Sequence, residues 1–419
     1  MKLQTFKENN TTYQYIHTNQ FKSRILTIRF FTDLNSENIT ARNLMLSMLR
    51  AKNRVTPTRK AQSKYLESLY DSLLLTQALK FGTKHINQIT MVMIDDRFTI
   101  EKTLFHEALT YLKHVLYEPL FDEKTLEEEK QFLKDYFKAE FANKTRFASK
   151  RYNQYLMEEH PYNQHAFGKE EAIDLVTLDM IKDSYNQMLN ENEVFISVVG
   201  NFDEQKIHHE ILTSLPIKSV VKPLPILYRH DFIKKDRIFE AYDVTQNRIF
   251  ITLKTGIFYR DEDYFTMLVL NALLGEGSDS LLFKTVREHH SLAYYVYSSY
   301  SPFNGLITMA SGMDEKNIEK GKAMMLSCLA LIQNGSFSDE DLTLAKTHLI
   351  TGFKQSYDSQ GSLSQKALRA ALFNLPFNEE SVLSNIANVT KEALTRVANQ
   401  CHQIFEYELG GIKHENETL

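Results

Sequence analysis

Two stretches of this chain repeat one another in a fixed register. "FDEKTLEEEKQFLKDYF" begins at Phe121 and "FSDEDLTLAKTHLITGF" begins at Phe337, an offset of 216 residues. In that register Phe121 matches Phe337, Leu126 matches Leu342, Lys130 matches Lys346, Leu133 matches Leu349 and Phe137 matches Phe353. Each is preceded by a stretch of helical apolar spacing, "HEALTYLKHVLYEPL" and "GKAMMLSCLALIQNG". Helices of similar composition share two or three positions by chance, whereas five in one register point to an internal duplication. A duplicated chain of 419 residues folds as two related halves, each long enough to bury its own core.

The halves also read alike strand by strand. "SRILTIRFFTD" and "NRIFITLKTGI", rich in β-branched and aromatic residues, each precede a helical stretch. "NQITMVMID" and "VFISVVGNF" follow in the first half, and "AYYVYSSYS" and "LITMASGMD" in the second. The proline-bearing stretch "PIKSVVKPLPILYRHDFIKKD" reads as a linker. The expected organisation is α+β: a domain over 1–218, a linker over 219–236 and a homologous domain over 237–419. Each domain is expected to be a mainly antiparallel sheet covered by helices.

Composition narrows the function. A net charge of −4 without a dense Lys/Arg run gives no electrostatic basis for nucleic-acid binding. Two cysteines without CxxC spacing support neither a disulfide framework nor a thiolate metal site. "MKLQTFKENN" lacks an apolar signal core, and no run approaches the roughly 18 apolar residues of a membrane span. A cytoplasmic protein with no nucleic-acid or membrane partner is the expectation.

Two further stretches carry a resemblance. "HPYNQHAFGKEEAIDLVTLDMIKDSYNQMLNENEVFISVVGNFD" (160–203) resembles a signature of the pitrilysin family of zinc peptidases. "EGSDSLLFKTVREHHSLAYYVYSS" (276–299) resembles that family's second-domain motif, S-x-L-F-x-x-L-R-E-x-x-G-L-A-Y-x-V. The resemblance covers about residues 23 to 370 and implies two duplicated domains that form half of a chamber. Active members of the family carry H-x-x-E-H on the first long helix of domain one. Two His four residues apart share a helix face and hold zinc, and the Glu between them activates the bound water. A further Glu, seven residues after an earlier one on a later helix, completes the shell.

Aligned on H-x-x-E-H-M-L, this chain reads "NLMLSML". Asn43 and Ser47 stand at the two His positions and Leu46 at the Glu. On the later helix Glu129 matches the earlier Glu, and Tyr136 stands seven residues on, where the ligand would be. These are degenerate zinc-site positions: neutral Asn and Ser are poor ligands beside imidazole, and Leu accepts no proton. No H-x-x-E-H or H-E-x-x-H occurs elsewhere. No metal or other cofactor is expected in this chain, with zinc only in a partner subunit.

The resemblance assigns substrate binding to Arg287 and Tyr294, seven residues apart in "REHHSLAY". It gives Arg287 a substrate carbonyl to grip and Tyr294 an oxyanion to stabilise, roles that a guanidinium and a phenol suit. Read from spacing alone, Arg287 is a surface ion-pair partner and Tyr294 a core residue starting a strand. Ser291 stands where the family usually has Gly. Gly275 and Gly277 in "LLGEGSDS" read as a turn, since no Lys-Ser/Thr follows to make a phosphate loop. The "HH" pairs at 208–209 and 289–290 and the run "EEEK" (127–130) read as solvated positions.

Loss of the metal set beside retention of the Arg/Tyr pair implies the non-catalytic, substrate-binding subunit of a heterodimeric zinc peptidase. The expected partner is a related H-x-x-E-H chain, and the expected substrate a peptide or unfolded polypeptide. The resemblance also leaves a homodimer open to the isolated chain, because the family's dimer-forming surface would still be present. "NRVTPTRKAQSKYLESLYDS" (53–72) resembles zinc-less bacterial members associated by name with modification of translation elongation factor P. The alternative is a scaffold or binding protein of peptidase fold with no peptidase role.

Overall fold

The computed structural model describes residues 1–34, 37–158, 160–217, 219–220, 226, 229 and 232–411. Residues 221–225, 227, 228, 230 and 231 of the expected linker 219–236 lie outside the described residues. The chain divides into two compact units. The first comprises Met1–Glu140, Glu159–Ile226 and Ser356–Leu372; the second comprises Phe141–Glu158, Leu227–Gln355 and Phe373–Leu419.

Among the described residues, the first unit holds a six-stranded sheet. Its strands are β1 (Lys2–Glu8), β2 (Thr11–His17), β3 (Ser23–Asp33), β4 (Leu73–Phe81), β5 (Lys84–Ile94) and β6 (Glu193–Gly200). They lie in the order β1-β2-β6-β3-β5-β4, with β2 and β6 parallel and the other neighbours antiparallel. Alternation along β3 sends Leu26, Ile28 and Phe30 into the core and leaves Thr27 and Arg29 for the opposite face. Helices follow as α1 (Ile39–Ala51), α2 (Arg59–Ser68), α3 (Leu104–Tyr117), α4 (Glu123–Ala142), α5 (Lys144–Leu156), α6 (Leu178–Glu191) and α7 (Glu204–Ser214). All but α5 belong to this unit, apart from the last residues of α4, and the apolar faces of α1, α3, α4, α6 and α7 build its core.

The second unit repeats the plan. Its strands are β7 (Ile238–Tyr242), β8 (Asn247–Lys254), β9 (Ala293–Ser301), β10 (Leu306–Met313) and β11 (His402–Gly411), ordered β7-β11-β8-β10-β9. The first pair is parallel and the rest antiparallel, the arrangement that runs from β2 to β4 in the first unit. The later helices are α8 (Tyr264–Gly275), α9 (Ile318–Gln333), α10 (Asp339–Ser356), α11 (Gln360–Phe373), α12 (Glu379–Ala387) and α13 (Lys391–Ala398). The repeated stretches form α4 and α10, and the matched pairs Leu126/Leu342 and Leu133/Leu349 are all buried. The expected α+β architecture with mostly antiparallel sheets is present, with one parallel pair in each sheet.

The units take a helix from the opposite half of the sequence. In the second unit α5 crosses the sheet, where Tyr152 stacks on Phe250 at 4.7 Å and bonds Thr252 and Thr308. In the first unit α11 covers the polar sheet face, where Ser364 accepts from Arg29 at 2.8 Å and the Ala367 carbonyl accepts from Gln14 at 2.7 Å. Among the described residues no helix is long and apolar enough to cross a membrane.

Candidate functional site

The aligned metal positions occupy α1 and α4. On α1, Leu46 is 1% exposed and sits in the apolar core with Leu44, Met45, Met48 and Leu49. Asn43 is 9% exposed, and Ser47 is half-buried one turn further along the same face. On α4, Tyr136 is half-buried and its ring meets Phe167 edge-on, centroids 4.9 Å apart. Glu129 is buried rather than solvated, in an ion pair with Arg59.

The segment following "HPYNQH" ties these helices together. Phe167 lies on Tyr136, and the next residue, Gly168, abuts the first turn of α1. Gly168 has φ +85°, and a Cβ there would stand 2.1 Å from Thr40 Oγ1 and 2.7 Å from Thr40 Cα. Only glycine fits that approach. Lys169 N also donates to Thr40 Oγ1 at 3.1 Å.

Beside Asn43, Arg42 is buried and donates from Nε to His85 Nδ1 at 3.2 Å and from its second amino nitrogen to Asn192 Oδ1 at 3.0 Å. Nε2 of His85 lies 2.9 Å from the Ala166 carbonyl, so the neutral ring carries its proton there. Burial first, and the Arg42 charge second, push His85 down to about 3. Burial alone lowers Arg42 to about 10. This histidine has both nitrogens engaged and takes no part in a metal set.

Zinc does not fit these residues. Asn43, Ser47 and Tyr136 offer a carboxamide, a hydroxyl and a phenol in place of two imidazoles and a carboxylate, and Leu46 has no basic atom. Among the described residues, no group of three or more His, Cys, Asp or Glu could hold a metal ion.

The other candidates lie in the second unit. Phe283–His289 is a π-helical turn, a form that concentrates at functional sites, and it carries Arg287. Arg287 is exposed, its guanidinium 4.8 Å from the centroid of Phe283. The turn closes as Ser291 N donates to the Arg287 carbonyl at 3.1 Å. Ser291 adopts φ +49°, so it keeps a left-handed conformation that glycine enters without a Cβ penalty.

Tyr294 is the second residue of β9, yet it is 53% exposed and not a core residue. The pairing with β10 explains this. Gly312 pairs with Tyr295 and Met313 with Ala293, which leaves Tyr294 as the extra residue of a β-bulge. Strict alternation from the core residue Val296 would have turned Tyr294 inward; the bulge gives that place to Ala293 and releases the tyrosine. Its hydroxyl donates to Asp314 Oδ1 at 3.0 Å, and that hydrogen bond and charge raise the phenol above its usual range. Asp314 was not read from the sequence, where nothing marks it.

Nearby, Gly277 has φ +91° in the expected turn, while Gly275 is glycine because a Cβ would meet Ser298 N at 2.4 Å. His289 and His290 are exposed, but His208 is not a solvated residue: it bonds the Tyr15 hydroxyl at 2.8 Å and Glu8 at 3.0 Å.

Residues 175–349 match the family model described as "Peptidase M16 inactive domain". The chain is 25% identical over 414 residues to the Bacillus subtilis protein named "Probable inactive metalloprotease YmfF", covering 97% of each. A conserved protein from Enterococcus faecalis superposes with a TM-score of 0.92 at 25% identity, over 99% of this chain and 100% of that one. The structure called peptidase M16 inactive domain from Pseudomonas fluorescens shares the fold, with a TM-score of 0.84 at 18% identity over 99% of both. By these likenesses the chain is similar to the pitrilysin (M16) peptidase family, and in particular to proteins described as its inactive members.

Proposed function

We propose that this protein is the non-catalytic, substrate-binding subunit of a heterodimeric zinc peptidase. A related chain with H-x-x-E-H supplies the metal and general base, and the two chains enclose a chamber for a peptide or unfolded polypeptide. Arg287 grips the peptide and Tyr294 makes a second polar contact with it. One contrast supports the reading above all. The metal positions hold Asn43, Leu46, Ser47 and Tyr136, whereas a π-helical turn and a bulge hold Arg287 and Tyr294 outward with their chemistry intact. The same reading places the pair in the cytoplasm. It extends to elongation factor P modification only through the resemblance of residues 53–72.

The test is peptide turnover by the reconstituted pair with Arg287→Ala in this chain. Turnover is expected to fall about a hundredfold, the scale of one lost transition-state donor, with assembly retained. Unchanged turnover by the variant pair supports the scaffold reading instead.

A further inference from the structure

We propose that Asp314 is the positioning residue of Tyr294, holding the phenol so that it presents acceptor lone pairs to the peptide. The inference rests on the reading that Arg287 and Tyr294 meet the peptide. Tyr294 sits at a bulge on the edge strand β9 with half its surface exposed, so packing alone does little to fix its ring. The bond to Asp314 supplies what packing does not.

The backbone of Asp314 is itself held. It follows Met313, the last residue of β10, which pairs with Ala293 beside the bulge. Its carbonyl accepts from Asn317 N at 2.9 Å, and the Asn317 side chain reaches the Leu292 carbonyl at 3.5 Å. The backbone that carries the carboxylate is thus anchored beside the bulge, which limits where the phenol can find its acceptor.

A phenol carries one proton. With that proton on Asp314, the oxygen keeps its lone pairs for donors; the Gln246 side chain meets one, and the group that fits the other is a donor such as a backbone N–H. A peptide carbonyl would have to displace a carboxylate to be bound. The two residues then divide an extended peptide between them: Arg287 takes a carbonyl and Tyr294 an adjacent amide. The upward shift of the Tyr294 phenol under the Asp314 charge agrees with this arrangement.

Two measurements on the full chain test it. The difference between the alkaline absorbance titrations of wild type and Tyr294→Phe isolates one phenol among 21 tyrosines. Tyr294 is expected to ionise above the ordinary value of about 10 and to return towards it in Asp314→Asn. Binding of a fluorescein-labelled casein peptide, read by polarisation, is expected to weaken about tenfold in Asp314→Ala, as for loss of a charge-assisted hydrogen bond. Tyr294→Phe should lose as much, the double variant no more, and Asp314→Glu should recover part. Ionisation unmoved by Asp314→Asn overturns the inference. So does wild-type peptide affinity in Asp314→Ala beside weakened binding in Arg287→Ala. Wild-type affinity in Arg287→Ala and Tyr294→Phe alike instead removes the peptide-binding reading and the inference with it.

Discussion

Arg42 and His85 form a buried pair in which the guanidinium donates to an imidazole that must stay neutral. The folded pKa of His85, about 3, lies below the unfolded value of about 6.5. The unfolded chain therefore binds the extra proton, and the stability from this group is complete above pH 6.5 and is lost as pH falls towards 3. About 2 kcal/mol should disappear between pH 7 and pH 5 from this group. Urea unfolding across that range measures it, and His85→Gln should remove that part of the slope.

Gly168→Ala should be among the most damaging single changes in the first unit. The new Cβ meets Thr40 backbone as well as its side chain, at a positive φ. A loss of about 2–4 kcal/mol is expected from the combined strain and overpacking. Thermal unfolding checks it, and a loss under about half a kcal/mol would contradict the close approach.

Ser291→Gly should leave stability unchanged or raise it by up to about 1 kcal/mol. Relief of the left-handed backbone is offset by the larger entropy of an unfolded glycine. Ser291→Val, branched at Cβ, should lose more than about 1 kcal/mol at the same position.

Leu46→Glu alone does not restore a general base. It places a carboxylate at a position 1% exposed within the apolar core of α1. Destabilisation of at least about 3 kcal/mol is expected, since burial of an unpaired charge is costly. Denaturant midpoints measure the change, and the variant should hold no stoichiometric zinc by elemental analysis.

What the sequence revealed depends on the range of the interaction. β3, β5, β6, β8, β9 and β10 were legible because β-branched and aromatic runs report locally on a pleated, half-buried surface. β4, "LLLTQALKF", was missed, since an apolar run with little alternation fits helix as well as strand. The helix exchange left no local trace: nothing near Tyr152 or Ser364 names the sheet it meets. Arg287 and Tyr294 were found by motif. Motif could not tell that a bulge turns Tyr294 out, or that Ser291 takes the glycine-like conformation. Glu129 and His208, read as solvated, are buried or bonded by residues distant in sequence, Arg59, Tyr15 and Glu8.

Gentle purification of the tagged protein from its own cells, with mass spectrometric identification of what accompanies it, tests the half-enzyme account most directly. The account expects a near-stoichiometric related chain carrying H-x-x-E-H, and peptide cleavage by the pair but not by this chain alone. A homodimer with no such partner would contradict it.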